Sequence, residues 1–168
     1  MEDELIIRAA DIDDIGLIGY IAQQVWPVAY KDILSEEQLN YMLTLFYSPA
    51  SLRKQITSDK HHFLIAELND EAVGFASFGR IDAHVFKLHK LYVLSTIQKN
   101  GIGKALVDAV KEGVKEEGGS VLRLNVNRNN AAQNFYQRLG FQIVGQEVID
   151  IGNGFLMQDF VMESGIVN

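Results

Sequence analysis

The sequence predicts a single α/β domain built on a mixed β-sheet, and three observations support this fold class. Hydrophobic residues make up 48% of the 168 residues, enough for one sizeable core. Apolar residues alternate with a period of two in some segments and recur every three or four positions in others. These patterns run in the order strand, helices, three strands, helix, strand, helix, two strands, with no linker between them, so we treat residues 1–168 as one domain.

Three helices are expected to follow one short strand in the first 59 residues. Residues 5–8 (LIIR) are predicted to be the strand, and Asp11 fits the N-cap of the first helix. Ser35 begins the pattern S-E-E-Q, which is typical of a capping box, and so opens the second helix. The third helix begins at Ser48-Pro49, where a capping serine precedes a proline at the first helical position.

From residue 60 onward most of the pattern is that of strands. Residues 61–68 and 72–79 alternate like strands and are joined around Asn69-Asp70, a pair typical of a β-hairpin. Residues 85–94 form a third, longer strand. The remaining elements are predicted to be a helix from Ile102 to a stop at Gly118-Gly119, a strand at 121–126, a helix capped by Asn129 or Asn130 and ended by Gly140, and strands at 141–150 and 155–162.

A glycine-rich turn, QKNGIGKAL at residues 98–106, joins the strand at 85–94 to the next helix. The first amide groups of a helix have no partner within the helix, and the helix dipole makes them attractive to anions. The turn therefore predicts a pyrophosphate site, although a tight strand–helix corner would use the same glycines. It matches neither the Walker loop nor the dinucleotide fingerprint. The candidate residues are Gln98, Lys99, Asn100, Gly101, Ile102, Gly103 and Lys104.

Two motifs in the second half of the chain resemble those of the GNAT superfamily, the N-acetyltransferases that use acetyl-CoA. The first is Q-x-x-G-x-G at residues 98–103, and the second is N-x-x-A-x-x-F-Y at 129–136, which QRLGF follows directly. The resemblance covers residues 60–162. It implies the GNAT (acyl-CoA N-acyltransferase) fold, in which helices flank a mixed, mostly antiparallel twisted sheet.

The same resemblance divides the chain by role. Residues 60–168 would form the acetyl-CoA-binding core, and residues 1–59 would supply the first strand and the helices on the acceptor side. Two segments, WPVAYKDILSEEQ at 26–38 and DIGNGFLMQD at 150–159, are more similar to PaiA-type polyamine acetyltransferases. This narrower resemblance implies a small amine or polyamine as the acceptor.

Roles for individual residues follow from the GNAT resemblance. It implies that the strands at 85–94 and 121–126 splay apart and that the pantetheine of acetyl-CoA lies between them, with the N–H of Val93 polarising the thioester carbonyl. Tyr136 matches the general acid that protonates the leaving thiolate. The remaining cofactor contacts implied by the resemblance are Leu91, Tyr92 and Asn129. Because the chain has no cysteine, direct transfer within a ternary complex is the expected route.

The general base is less clear from the sequence, because GNAT enzymes often place a glutamate on this strand and His89 occupies that region. Strand alternation predicts that His89, Leu91 and Val93 share one face. Histidine titrates in a useful range, so His89 is the candidate base, with a structural histidine as the alternative.

An aromatic group in the N-terminal helices is the candidate acceptor pocket. Trp26 and Tyr30 could contact the methylenes of an amine or bind its cation, and Phe46 and Tyr47 belong to the same group. Glu36 and Glu37 could hold a second ammonium. The alternative is that these aromatics are core residues and these glutamates belong to a solvated helix start.

Composition limits the classes of function. The net charge of −7 argues against general nucleic-acid binding, although residues 87–128 carry eight Lys/Arg against four Asp/Glu. The sequence has no membrane-spanning segment or signal-peptide pattern, and a cytoplasmic location is expected. We expect acetyl-CoA as cosubstrate and no metal. The alternatives are a protein lysine or N-terminal acetyltransferase and a non-catalytic acyl-CoA sensor, and the family resemblance also allows a homodimer.

Overall fold

A seven-stranded sheet with the strand order β1-β2-β3-β4-β5-β7-β6 forms the centre of the molecule. Strands β4 and β5 are parallel, and the other neighbours are antiparallel, as predicted. The computed structural model describes residues 3–94 and 101–166. The elements are β1 (Leu5–Ala9), α1 (Ile15–Ala29), α2 (Glu36–Tyr47), α3 (Pro49–Thr57), β2 (His62–Leu68), β3 (Glu71–Arg80), β4 (Val85–Val93), α4 (Ile102–Glu116), β5 (Val121–Asn127), α5 (Ala132–Arg138), β6 (Gln142–Gly152) and β7 (Phe155–Gly165).

Local hydrogen bonds explain why the N-terminal helices begin where they do. Asp11 forms a capping box with Asp14, but it caps a single 3₁₀ turn that precedes α1. The hydroxyl of Ser35 accepts the N–H of Gln38 at 3.1 Å, which begins α2. The hydroxyl of Ser48 likewise begins α3. Among the described residues, no helix is long and apolar enough to cross a membrane.

Two apolar clusters cover the two faces of the sheet. The first packs α4 and α5 against one face and includes Leu106, Val110 and Phe86. The second packs α1, α2 and α3 against the opposite face and includes Ile18, Leu52 and Phe75. Burial on both sides fixes which face each central strand residue must take, because apolar side chains gain free energy when they leave water.

Strand β4 is irregular in two ways that shape the rest of the molecule. On one side, β3 pairs Ser77 with Lys90 and Phe78 with Leu88, so His89 is an extra residue in a β-bulge. On the other side, pairing with β5 covers Val85 to Leu88 and ends there, opposite Leu124. Beyond this point β4 and β5 separate and leave a gap in the middle of the sheet.

Two helical glycines should respond oppositely to substitution. In α4, a Cβ on Gly113 would lie 2.7 Å from Cζ of the buried Phe78, so Gly113→Ala should destabilise the fold by about 1–3 kcal/mol through overpacking. In α1, a Cβ on Gly19 would meet only the Tyr47 carbonyl oxygen, at an ordinary 3.6 Å. Gly19→Ala should therefore stabilise the fold by about 0.5–1 kcal/mol. Urea titration measures both, and equal effects would contradict the described packing.

Candidate active site

A cavity of about 940 Å³ crosses the sheet through the gap between β4 and β5. Its two ends are built from different parts of the chain. We call one the glycine end, which consists of Gly101, Gly103 and Lys104, and the other the aromatic end, which consists of Trp26, Tyr30, Phe46 and Tyr47. The volume and the mostly apolar lining are typical of a ligand site, and the lining residues come from both sides of the sheet.

The N-terminus of α4 forms the glycine end. Gly101 has a positive φ of 71° and precedes the first turn of a 15-residue helix, so the first amides of that helix lie at the cavity. The Lys104 side chain stands at the rim, 63% exposed, and forms an ion pair with Asp108 at 2.7 Å. The first amides of a helix, its dipole and a lysine suit a phosphate group. The predicted Gln98, Lys99 and Asn100 lie outside the described residues.

The two glycines of this turn have different structural roles. A Cβ on Gly101 would project into open space, as expected of a position that leaves room for a ligand. A Cβ on Gly103 would instead lie 3.2 Å from the ring of Phe135. The space beside Gly103 is therefore filled by α5, whereas that beside Gly101 is open. Ile102 is fully buried, so only its backbone can face a ligand.

Tyr136 lies where α5 meets the gap. It is 9% exposed, lines the cavity, and packs edge-on against Phe135 and Phe141 at 5.3 and 5.6 Å between ring centroids. Burial raises the pKa of the Tyr136 phenol, so the hydroxyl keeps its proton at neutral pH. A protonated phenol in a cavity can donate a hydrogen bond or a proton to a developing anion.

At the aromatic end, Trp26 stacks at a tilt on Tyr30 and Tyr92, with centroid distances of 4.7 and 5.7 Å. The hydroxyl oxygens of Tyr30 and Tyr92 are 2.9 Å apart and share a hydrogen bond. Burial raises the pKa of both phenols. Trp26 and Tyr30 thus line the cavity where the sequence predicted a pocket. The side chain of Tyr92, predicted as a cofactor contact, belongs to this aromatic group.

His89 lines the cavity, but not on the face that strand alternation predicted. The bulge turns its ring onto His61, with a centroid distance of 3.9 Å, whereas Leu91 and Val93 pack on the α4 side of the sheet. The prediction that the three share one face is therefore wrong. Burial, together with the positive charges of His61, Lys87 and Lys90, lowers the pKa of His89 from 6.5 to about 3.

Five of the described charged residues in the cavity lining were not predicted from the sequence, namely Lys54, Asp59, Lys87, Lys90 and Asp159. The ammonium of Lys90 lies over the rings of Phe46 and Tyr47, 5.9 and 5.2 Å from their centroids, and burial lowers the pKa of Lys90 to about 8. Lys87 lies on the same strand. Asp159, on β7, is 2% exposed, and burial raises the pKa of its carboxyl. An acid inside the apolar pattern FLMQDFVM was the available signal for Asp159.

Of Asn129 and Asn130, the two asparagines that precede α5, only Asn130 lines the cavity. Asn130 accepts the N–H of Ala132 through its side chain at 2.8 Å and lines the cavity. Asn129, the predicted cofactor contact, is exposed and outside the cavity lining. Glu36 and Glu37 are also exposed, in the first turn of α2, and do not line the cavity.

Comparison with known proteins identifies one family. A family model described as "Acetyltransferase (GNAT) domain" matches residues 30–164. The spermidine N(1)-acetyltransferase of Thermoplasma acidophilum is 27% identical over 157 residues, covering 90% of this chain and 94% of that protein. An uncharacterised N-acetyltransferase of Mycobacterium tuberculosis is 27% identical over 155 residues, covering 92% and 99%. The crystal structure of the PaiA N-acetyltransferase of T. acidophilum in complex with coenzyme A has a TM-score of 0.82 at 27% identity, covering 96% and 99%.

The glycine end can be tested with a charge placed at Gly101. Gly101→Asp puts a carboxylate at the start of α4, where a Cβ meets nothing within 4 Å. We expect at least a roughly tenfold loss of CoA affinity from charge repulsion. Gly101→Asn is the matched control, because both side chains tolerate a positive φ and only one is charged. Calorimetry measures both, and equal affinities would contradict a phosphate at this end.

The lowered pKa of His89 predicts acid sensitivity. The unfolded chain takes up a proton near pH 6.5, whereas the folded His89 remains neutral down to about pH 3, its folded pKa. Stability should therefore fall as the pH drops from 6.5 toward 4, by up to about 1.4 kcal/mol per pH unit for this group. Urea titrations at several pH values give the slope of the unfolding free energy against pH. This slope should be shallower in His89→Gln than in the wild type and unchanged in the exposed His84→Gln. Parallel slopes in all three proteins would contradict the assignment.

Proposed function

This chain belongs to the GNAT acetyltransferase family, and we propose that it transfers an acetyl group from acetyl-CoA directly to a primary amine of a small molecule. One observation carries the proposal. A single cavity leads from the N-terminus of α4, through the gap between β4 and β5 and past Tyr136, to the aromatic end. It can hold a long phosphate-bearing cosubstrate on one side of the sheet and an acceptor on the other.

The residues around the gap suit acetyl-CoA. The first amides of α4, with Gly101 and Lys104, would hold the diphosphate. The backbone of β4 at Leu91 and Val93, at the edge that faces the gap, would contact the pantetheine, as the family resemblance implies. Coenzyme A is the ligand of the T. acidophilum PaiA structure, which supports this use of the cavity.

Transfer requires one new bond and one broken bond. The acceptor nitrogen attacks the thioester carbonyl, the C–N bond forms, and the C–S bond breaks. In the proposed site, a backbone N–H of β4 would polarise the carbonyl oxygen, and the phenol of Tyr136 would supply a proton to the departing thiolate. Burial raises the pKa of Tyr136, so the phenol carries its proton when the thiolate forms.

The nitrogen must also lose a proton, which was the role predicted for His89. A pKa of about 3 leaves His89 neutral but makes it a weak proton acceptor. We therefore propose that His89 acts as a neutral hydrogen-bond acceptor beside the acceptor amine. The amine would attack in its neutral form, and the proton that its nitrogen loses as the amide forms would pass through water in the cavity and restore the proton that Tyr136 gives to the thiolate.

Polyamines are the acceptor class that sequence similarity favours. The spermidine N(1)-acetyltransferase of T. acidophilum is 27% identical over most of both chains. Aromatic side chains such as Trp26 and Tyr30 can pack on methylene chains and bind ammonium groups, which adds support.

The proposal is tested by measuring CoA release from acetyl-CoA with spermidine, spermine, diamines, amino acids and lysine peptides. Turnover of any small amine supports it. Turnover of peptides alone would favour the protein acetyltransferase alternative. Tight acetyl-CoA binding with no turnover of any acceptor would favour a sensor domain.

Tyr136→Phe isolates the proposed general acid. We expect turnover to fall by roughly 10²-fold with CoA affinity unchanged, because the substitution removes only the hydroxyl. Tyr20→Phe, at a 61% exposed position on α1, should keep wild-type turnover. Initial rates and calorimetry measure the two quantities. Unchanged turnover in Tyr136→Phe would remove this residue from the mechanism.

A further inference from the structure

The acceptor side of the cavity carries two lysines whose charge is not neutralised by an ion pair. Lys87 and Lys90 both line the cavity. In the described ranges 3–94 and 101–166, neither lysine has a carboxylate within ion-pair distance. Other cations near this part of the cavity are paired, since Lys54 contacts Asp59 at 3.6 Å and Arg123 contacts Glu163 at 2.6 Å.

Asp159 lies within electrostatic reach of Lys87, whose positive charge opposes the rise in the pKa of the Asp159 carboxyl that burial causes, whereas the charge that acts on Lys90 is that of Lys87. The positive charges of Lys87 and Lys90 lower the pKa of His89, and Lys87 also lowers the pKa of Lys90 after burial has lowered it. These couplings show that the three side chains lie within electrostatic reach of one another. The aromatic faces of Phe46 and Tyr47 already have Lys90 as their cation. The second ammonium of a polyamine would therefore be repelled by the Lys90 ammonium at these aromatic rings.

The negative charge of the cavity lies on the other side of the gap. Asp159 on β7 is 2% exposed, and its carboxylate accepts a hydrogen bond from the Asn125 amide at 3.4 Å. Tyr30 of the aromatic end lies close enough for Asp159 to raise the pKa of its phenol further, beyond the effect of burial. The acceptor region therefore has a cationic side on β4 and an anionic side on β7.

We propose that the acceptor carries a carboxylate as well as its primary amine, as amino acids do. Lys87 and Lys90 bind the carboxylate, and Asp159 attracts the amine end as it enters. The inference rests on the proposed function and selects a carboxylate-bearing acceptor within its class of small primary amines, in place of the polyamine that sequence similarity favours. Burial desolvates Lys90, which has no carboxylate within ion-pair distance among the described residues, and a carboxylate of the acceptor supplies that partner.

Pairs of compounds that differ only by a carboxylate test this directly. L-lysine is compared with cadaverine and L-phenylalanine with 2-phenylethylamine, and spermidine is included as the polyamine. Binding to the CoA-loaded protein is measured by calorimetry, and initial rates are measured with acetyl-CoA. We expect at least one carboxylate-bearing member to bind roughly tenfold or more tightly than its partner, the scale of a charge-pair contact.

Charge-neutralising variants show whether the lysines cause the preference. Lys87→Gln/Lys90→Gln should remove the preference for the carboxylate-bearing member or reverse it toward the diamine. Lys31→Gln/Lys115→Gln removes the same charge from exposed positions outside the cavity lining and should keep the wild-type preference. Thermal melting verifies that both double variants are folded. If Lys87→Gln/Lys90→Gln does not fold, the single variants Lys87→Gln and Lys90→Gln replace it.

The outcomes separate this inference from the proposed function. Carboxylate-selective binding that Lys87→Gln/Lys90→Gln abolishes supports the inference, even if no acceptor is turned over and the acetyltransferase proposal fails. Tighter binding of cadaverine, 2-phenylethylamine or spermidine overturns the inference while the enzyme assignment stands. Binding of neither member of either pair, or a preference unchanged in the variant, also overturns it.

Discussion

The separation of two parallel strands is the constraint on which the rest of the molecule depends. Strands β4 and β5 pair only as far as Leu88 and Leu124, although both continue beyond these residues. Strands that part within a sheet need support from other elements, because they no longer hold each other through hydrogen bonds. Here an apolar cluster on each face holds the strands in place. Helix α5 places Tyr136 beside the opening, and the N-terminus of α4 faces it.

The bulge at His89 determines which side chains of β4 face each side of the sheet beside this gap. An extra residue in β4 reverses the alternation beyond it, so Lys90 and Tyr92 face the N-terminal helices while Leu91 and Val93 face α4. Had the strand been regular, Lys90 would have faced the apolar α4 cluster. The irregular backbone thus separates an apolar wall on one side of the sheet from a polar, aromatic wall on the other.

Features set by residues close together in the chain were predicted from the sequence, whereas features set by the pairing of strands were not. Caps such as Ser35 and Ser48 depend on residues three positions apart, so their helices could be predicted. The side of the sheet on which His89 lies could not be predicted, because a bulge is a property of the register between two strands. Asp159 meets the cavity through the order of β5, β7 and β6. Tyr136 was predicted as a site residue from the family motif, because a motif reflects a position in the folded protein that local patterns do not contain.

A passage that crosses the sheet has a consequence for kinetics. Each end of the cavity has an exposed lysine in its lining. The side chain of Lys104, at the glycine end, is 63% exposed, and that of Lys54, on the side of the aromatic end, is 70% exposed. Two ligands that use separate openings of the cavity can each leave while the other stays bound. Free CoA should then compete with acetyl-CoA but not with the acceptor, and the acetylated product should do the reverse. Product-inhibition patterns would reveal this independence, whereas a single shared opening would impose a strict order of release.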